Sequence, residues 1–144
     1  LVNELNHPAL GIDHGEARVG VAATDEFGIL AYPLETIERS RTDALERLVE
    51  LALARKIRTL VLGLPLRMDG SEGDSAAKVR KFARQLEARL PNIPLTLVDE
   101  TLTTSSAAEK LRAAGKNAKR QKAIIDQAAA VEILNQWMDS DPLA

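Results

Sequence analysis

Residues 9–12 (Ala-Leu-Gly-Ile) form an apolar run that ends at Asp13, and residues 18–24 then alternate Val19, Val21 and Ala23 with Gly20, Ala22 and Thr24. A period of two marks a strand. Between the two runs, His14, Gly15, Glu16 and Ala17 are polar or small and include the glycine a tight reversal needs, so a hairpin is predicted. A third strand is predicted over 29–37, where Pro33 removes a ladder donor and places the strand at a sheet edge. The period changes over 41–56: Leu45, Leu48, Val49 and Ala52 share one face of a helix, with Asp43 near the positive end of its dipole. Residues 59–64 are apolar on both faces, as in a central parallel strand covered by helices. A loop over 65–74 and a helix over 75–90 follow, with Val79, Phe82, Ala83, Leu86 and Leu90 inward. Pro91 and Pro94 separate that helix from a strand over 95–98, which runs into Asp99 and Glu100. Polar residues 101–106 lead to a short helix over 107–114, and a last helix runs from about 122 to 138. Its buried stripe is Ala123, Ala130, Ile133, Leu134 and Trp137. Strand, helix and strand in that order imply an α/β fold with a right-handed crossover.

A chain of 144 residues is expected to form one domain over 1–144, with a core at about 9–138 and flexible termini. The absence of cysteine excludes a disulfide framework and a thiolate metal site, and fits a reducing cytoplasm. No apolar run approaches the roughly 18 residues of a membrane span. The first ten residues lack a basic region followed by an apolar one, so no export signal is expected. A net charge of −2 argues against a non-specific nucleic-acid coat. The charge is uneven, however. Residues 110–122 hold Lys110, Arg112, Lys116, Lys119, Arg120 and Lys122 with no acid among them, which suggests a directed contact to a polyanion.

Three acidic positions draw attention. Asp13 closes an apolar strand, Gly11 shares its face, and the facing strand offers Gly20 or Ala22 nearby. The carboxylate should therefore overlook a shelf with room for a hydrated cation and a phosphate. Asp126 interrupts the buried stripe of the last helix, where a lone carboxylate costs several kcal/mol unless it is paired or bound to a cation. Small residues at 128–130 would let that helix approach a sheet and deliver Asp126 to Asp13 or Glu100; a buried cap or a salt bridge to a lysine of the basic run is the alternative. At the end of the strand over 95–98 the spacing permits either Asp99 or Glu100. With only His7 and His14 as imidazoles, oxygen ligands predominate and select Mg²⁺ or Mn²⁺ over zinc. Two such cations about 4 Å apart would support phosphodiester hydrolysis. The loop over 65–74 leaves the carboxyl end of a central strand, where open α/β sheets bind ligands. Arg67, Ser71 and Gly73 there offer phosphates a guanidinium, a hydroxyl and a backbone N–H.

Several ordered motifs carry a family likeness: Leu10-Gly11-Ile12-Asp13 with Gly15 and Arg18-Val19-Gly20-Val21-Ala22; Pro33-Leu34-Glu35-Thr36-Ile37; Gly63-Leu64-Pro65 with Met68-Asp69-Gly70-Ser71-Glu72-Gly73; Val98-Asp99-Glu100 with Leu102-Thr103-Thr104; and Asp126-Gln127-Ala128-Ala129-Ala130. Over residues 9–138 the chain resembles the YqgF/RuvX family. The resemblance implies a ribonuclease H-like fold: a five-stranded mixed sheet, with a three-strand antiparallel meander plus two parallel strands, flanked by helices. It implies likeness to Holliday-junction resolvases and an association with maturation of the small-subunit ribosomal RNA precursor. By motif, its acidic triad falls on Asp13, Glu100 and Asp126, as catalytic residues and as ligands of Mg²⁺ or Mn²⁺.

The expected partner is DNA or RNA, contacted by Arg18, Arg67, Ser71 and Thr103, with Lys116, Lys119, Arg120 and Lys122 tracking the backbone. One tryptophan and one tyrosine cannot build a base-stacking platform. A resolvase reading would add a homodimer with paired sites on a two-fold axis. The chain departs from the family pattern in three places. Glu16 and Ala17 stand where a hydroxyl residue and a lysine are usual, Thr101 stands where arginine is usual, and His14 replaces an aliphatic residue. Two cations near the phosphates are thereby lost. His14 could contact phosphate or face solvent, and Glu16 could be an extra metal ligand or a solvated turn residue. Two other classes compete: a non-catalytic nucleic-acid or ribosome-binding accessory factor, and an actin-like ATPase suggested by Asp13-x-Gly15 with Gly20. A single domain leaves the latter no second lobe to close over a nucleotide.

Overall fold

The alternation over 9–24 closes as a hairpin in which β1 (Ala9–His14) pairs antiparallel with β2 (Arg18–Thr24), Leu10 opposite Ala23 and Asp13 opposite Gly20. A computed structural model describes residues 5–101 and 118–140. Strand β3 (Ala31–Glu38) pairs antiparallel with β2, and the register slips between Val21 and Ala22, where Pro33 faces Ala22. A bulge accommodates the missing donor at this edge strand. Residues 29 and 30, expected in the strand, belong to the preceding turn. The Asp25 carboxylate accepts from the backbone N–H groups of Phe27, Ile29 and Leu30 and holds them there.

Helix α1 (Ala44–Ala54) begins later than its pattern suggested, because Asp43 is its N-cap and accepts from the Glu46 N–H at 3.2 Å. Strand β4 (Thr59–Leu66) lies parallel to β1, and β5 (Leu95–Thr101) parallel to β4. Between them runs α2 (Asp74–Arg89). The final helix, α3 (Ala118–Ser140), starts upstream of its expected position and takes Lys119, Arg120 and Lys122 into its first turns. The expected helix over 107–114, with Thr103 and Lys116, lies outside the described residues.

Strand order is β3-β2-β1-β4-β5. One face of the sheet carries large side chains, among them Leu10, Ile12, Val21, Leu60 and Leu62. These pack with Leu48 of α1 and with Phe82 and Leu86 of α2. The other face is lined by small residues and receives α3. Ala9, Ala22 and Val61 there meet Ala130, Ile133, Leu134 and Trp137, each large side chain contributing about 1.5–3 kcal/mol by burial. Contact is close because side chains are missing where the helix crosses. A Cβ on Gly11 would lie 2.5 Å from Cγ of Leu134, and one on Gly20 would lie 2.0 Å from the carbonyl oxygen of Asp126. Among the described residues no helix is long and apolar enough to cross a membrane.

Candidate active site

Strand geometry decides which acids meet. In β1, Gly11 and Asp13 project to the α3 face and His14 to the α2 face. In β2, Gly20 sits opposite Asp13 with no side chain, so α3 passes directly over it at Asp126. Strand β5 continues past the expected residue 98 to Thr101, because its pairing with β4 continues through Leu64↔Asp99, Pro65↔Glu100 and Leu66↔Thr101. The alternation left open at 99 and 100 is thereby resolved. Glu100 turns to the α3 face, its Oε2 lying 2.7 Å from where a Gly63 Cβ would stand. Asp99 points away, into the field of Arg80 on α2.

The three acids therefore occupy one face in a row: Asp126 above β2, Asp13 at the end of β1, and Glu100 leaning back across β4. Their charges interact in that order. Burial, and then the Asp126 charge, pushes the Asp13 carboxyl up to about 6. Burial, then Asp13, then Glu132 pushes Glu100 up to about 7. Asp126 is also raised by burial, an effect opposed by Arg18 and augmented by Glu38. Its Oδ2 accepts from Nε of Arg18 at 2.7 Å. Asp126 is thus in a salt bridge, with a β2 arginine as the partner in place of a lysine of the basic run. Arg18, expected to contact nucleic acid, spends Nε on this bond.

The donor set is oxygen only, and two of its acids are held close together at a cost in ionisation, as a site for a hard cation would require. Among the described residues no three such groups converge into a finished cage; Asp126 is turned toward Arg18. Glu132, whose charge reaches Glu100, carries no motif that marks it in the sequence. Its signal is position, since the helical period sets it beside Ile133 at the margin of the buried stripe.

The other expected contacts are dispersed. Arg67 is exposed and lies against Gly73, where a Cβ would be 2.8 Å from its Nε. Ser71 Oγ donates to Asp69 Oδ1 at 2.6 Å, within a turn closed by the Arg67 N–H on the Ser71 carbonyl. Leu66 bridges Glu72, so the segment over 65–74 is a short hairpin. Arg120 and Lys122 are exposed on α3, and Lys119 lies in its first turn. Glu16 is exposed and pairs with Lys78 of α2 on the far side of the sheet from Asp13. His14 is half-buried, its ring centroid 4.7 Å from that of Phe82, so it does not simply face solvent. Burial, and then the neighbouring Arg39, lowers its pKa.

A mixed sheet of this order, with acids at the ends of its first and last strands and a third delivered by the closing helix, is a ribonuclease H-like fold. Thermus thermophilus RuvC in complex with a Holliday junction substrate shares it, with a TM-score of 0.53 at 19% identity over 88% of this chain and 89% of that one. The family model described as "RuvX: Holliday junction resolvase" matches residues 7–140, and the chain belongs to that family, also called YqgF. A Mycobacterium leprae relative is 49% identical over 90% of this chain and 71% of its own length; one from Nocardioides is 44% identical over 92% and 87%. Both carry the name "Putative pre-16S rRNA nuclease".

Proposed function

We propose that this protein is a nuclease that hydrolyses phosphodiester bonds of a ribosomal RNA precursor, with Asp13, Glu100 and Asp126 holding Mg²⁺ or Mn²⁺. The observation that carries this reading is the row of three carboxyl groups on the α3 face, all raised by burial, with Asp126 adding to the rise at Asp13 and Asp13 to that at Glu100. Divalent cations there would supply a nucleophilic hydroxide from water and neutralise charge on the leaving oxygen. The residues do the rest. Asp13, central in the row between Asp126 and Glu100, would be the ligand common to any cations held there. Glu100 is held over Gly63 by the parallel pairing of β5 with β4. Arg18, whose Nε donates to Asp126, keeps its other guanidinium N–H groups as donors for a phosphate oxygen beside the row. The names of the relatives and the family's likeness to resolvases support nucleic acid as the substrate class.

The test is a panel of labelled precursor rRNA, single strands and four-way DNA junctions, incubated with Mg²⁺, Mn²⁺ or EDTA. Metal-dependent cleavage of the precursor, lost in Asp126→Asn, is the expected result. Cleavage that persists in EDTA or in that variant refutes the assignment.

One observation favours a second reading. The Arg18–Asp126 pair satisfies the third acid without metal, as it would in a nucleic-acid-binding accessory factor whose site has lost its chemistry. Tight precursor binding with no cleavage under any metal supports that reading instead.

A further inference from the structure

A second charged recess opens on the opposite side of the sheet from Asp13. Neighbouring residues of a strand face opposite ways, so His14 leaves β1 toward α2 at the same strand end where Asp13 leaves it toward α3. A groove of about 420 Å³ lies there, lined by His14 and Glu16, by Arg39 just past β3, and by Lys78, Lys81 and Phe82 of α2. It holds three cations against one carboxylate. Glu16 is paired with Lys78, whereas no carboxylate forms an ion pair with Arg39 or Lys81 among the described residues.

The Arg39 guanidinium is fixed in place by neutral groups. Its Nη1 donates to Nε2 of His14 and to the Gly15 carbonyl, both at 3.0 Å, and its central carbon lies 5.6 Å from the Phe82 ring centroid. An arginine can only donate, so His14 Nε2 is an acceptor and its ring is neutral in this arrangement. The guanidinium is thereby oriented without being neutralised. Nε and Nη2 retain the forked donor geometry that suits a phosphate.

We propose that this groove is a second phosphate-binding site, which holds the sugar–phosphate backbone of a nucleic-acid strand whose cleaved bond lies at Asp13 across the β1–β2 turn. The proposal rests on the nuclease reading and extends it. Two features favour a polymer backbone over a lone nucleotide. The Phe82 ring is buried and taken up by His14 and Arg39, so no aromatic face is left for a base. Asp13 and His14 are chain neighbours on opposite faces of β1, so the acidic row and the groove both open at the end of that strand, where one sugar–phosphate chain passing the β1–β2 turn meets both.

Binding of a fluorescent single-stranded RNA and a hairpin RNA, followed by anisotropy in EDTA at several salt concentrations, tests this. Lys81 is exposed, so Lys81→Glu should fold normally. It is expected to weaken binding about tenfold and to flatten the salt dependence by roughly one phosphate contact. Glu16→Gln releases Lys78 and should tighten binding about threefold. Arg58→Glu makes the same charge change as Lys81→Glu at the opposite end of the sheet, and should stay within about twofold of the parent. Equal losses in Lys81→Glu and Arg58→Glu would show an effect of net charge alone and overturn the groove, while RNA binding and cleavage by the parent protein leave the nuclease reading standing. If Lys81→Glu abolishes binding of AMP yet leaves RNA affinity intact, the site belongs to a mononucleotide and the strand assignment fails. A parent protein that neither binds nor cuts RNA overturns both readings together.

Discussion

At Asp13 and Glu100 the folded chain holds a proton more tightly than the unfolded chain does, since the carboxyls are pushed up to about 6 and about 7. These two groups therefore take up protons on folding between about pH 4 and 7, and their contribution to stability falls as the pH rises through that window. Asp13→Asn removes the central charge of the row. It is expected to stabilise the metal-free protein by about 1–2 kcal/mol at pH 8 and hardly at all at pH 3.5. Its cleavage rate should fall by about a thousandfold or more. Urea titrations at the two pH values and single-turnover assays measure the two effects separately. Arg18→Gln acts in the other direction, leaving Asp126 near Asp13 and Glu38 without its cation. A loss of about 1–2 kcal/mol is expected at pH 7, vanishing near pH 3 as the carboxyl is neutralised in both states. Millimolar Mn²⁺ should restore part of that stability, and no recovery at all would count against a metal shared by Asp126.

At the scale of elements, the site depends on how closely α3 approaches the sheet. Gly20→Ala puts a methyl group 2.0 Å from the Asp126 carbonyl oxygen, a clash with backbone that no rotamer relieves. The helix must lift where it carries its acid. Leu134→Ala, also on this face, instead leaves a cavity and should cost about 2–5 kcal/mol. Compared at matched melting temperature, Gly20→Ala is expected to lose far more cleavage activity than Leu134→Ala. Equal losses would mean that the height of α3 is not what sets the site. Strand β5 likewise takes its length from its neighbours. Asp and Glu are poor strand formers, so local preference ends the strand near residue 98. Pairing with β4 carries it three residues further and thereby sends Glu100 and Asp99 to opposite faces.

For the whole molecule, the order β3-β2-β1-β4-β5 sets β1 at the centre, with acids arriving from β5 on one side and from α3 above β2 on the other. A metal bound at such a place would compete with protons on Asp13 and Glu100. Mn²⁺ is expected to raise the melting temperature more at pH 8 than at pH 6, with protons released on binding, and both effects should shrink in Asp126→Asn. Thermal melts and calorimetry in buffers of different ionisation heat check this. A pH-independent shift would place the metal elsewhere.

The sequence by itself determined the five strands and the three described helices to within a few residues, most of their inward stripes, the edge position of β3 and the prominence of Asp13 and Asp126, because each depends on periods and breakers within a few residues. Only the tertiary structure decided the pairing of Arg18 with Asp126 across 108 positions, the turn of Glu100 toward Asp13, and the groove behind His14. These follow from register and from the closeness of packed faces, which chain neighbours do not encode.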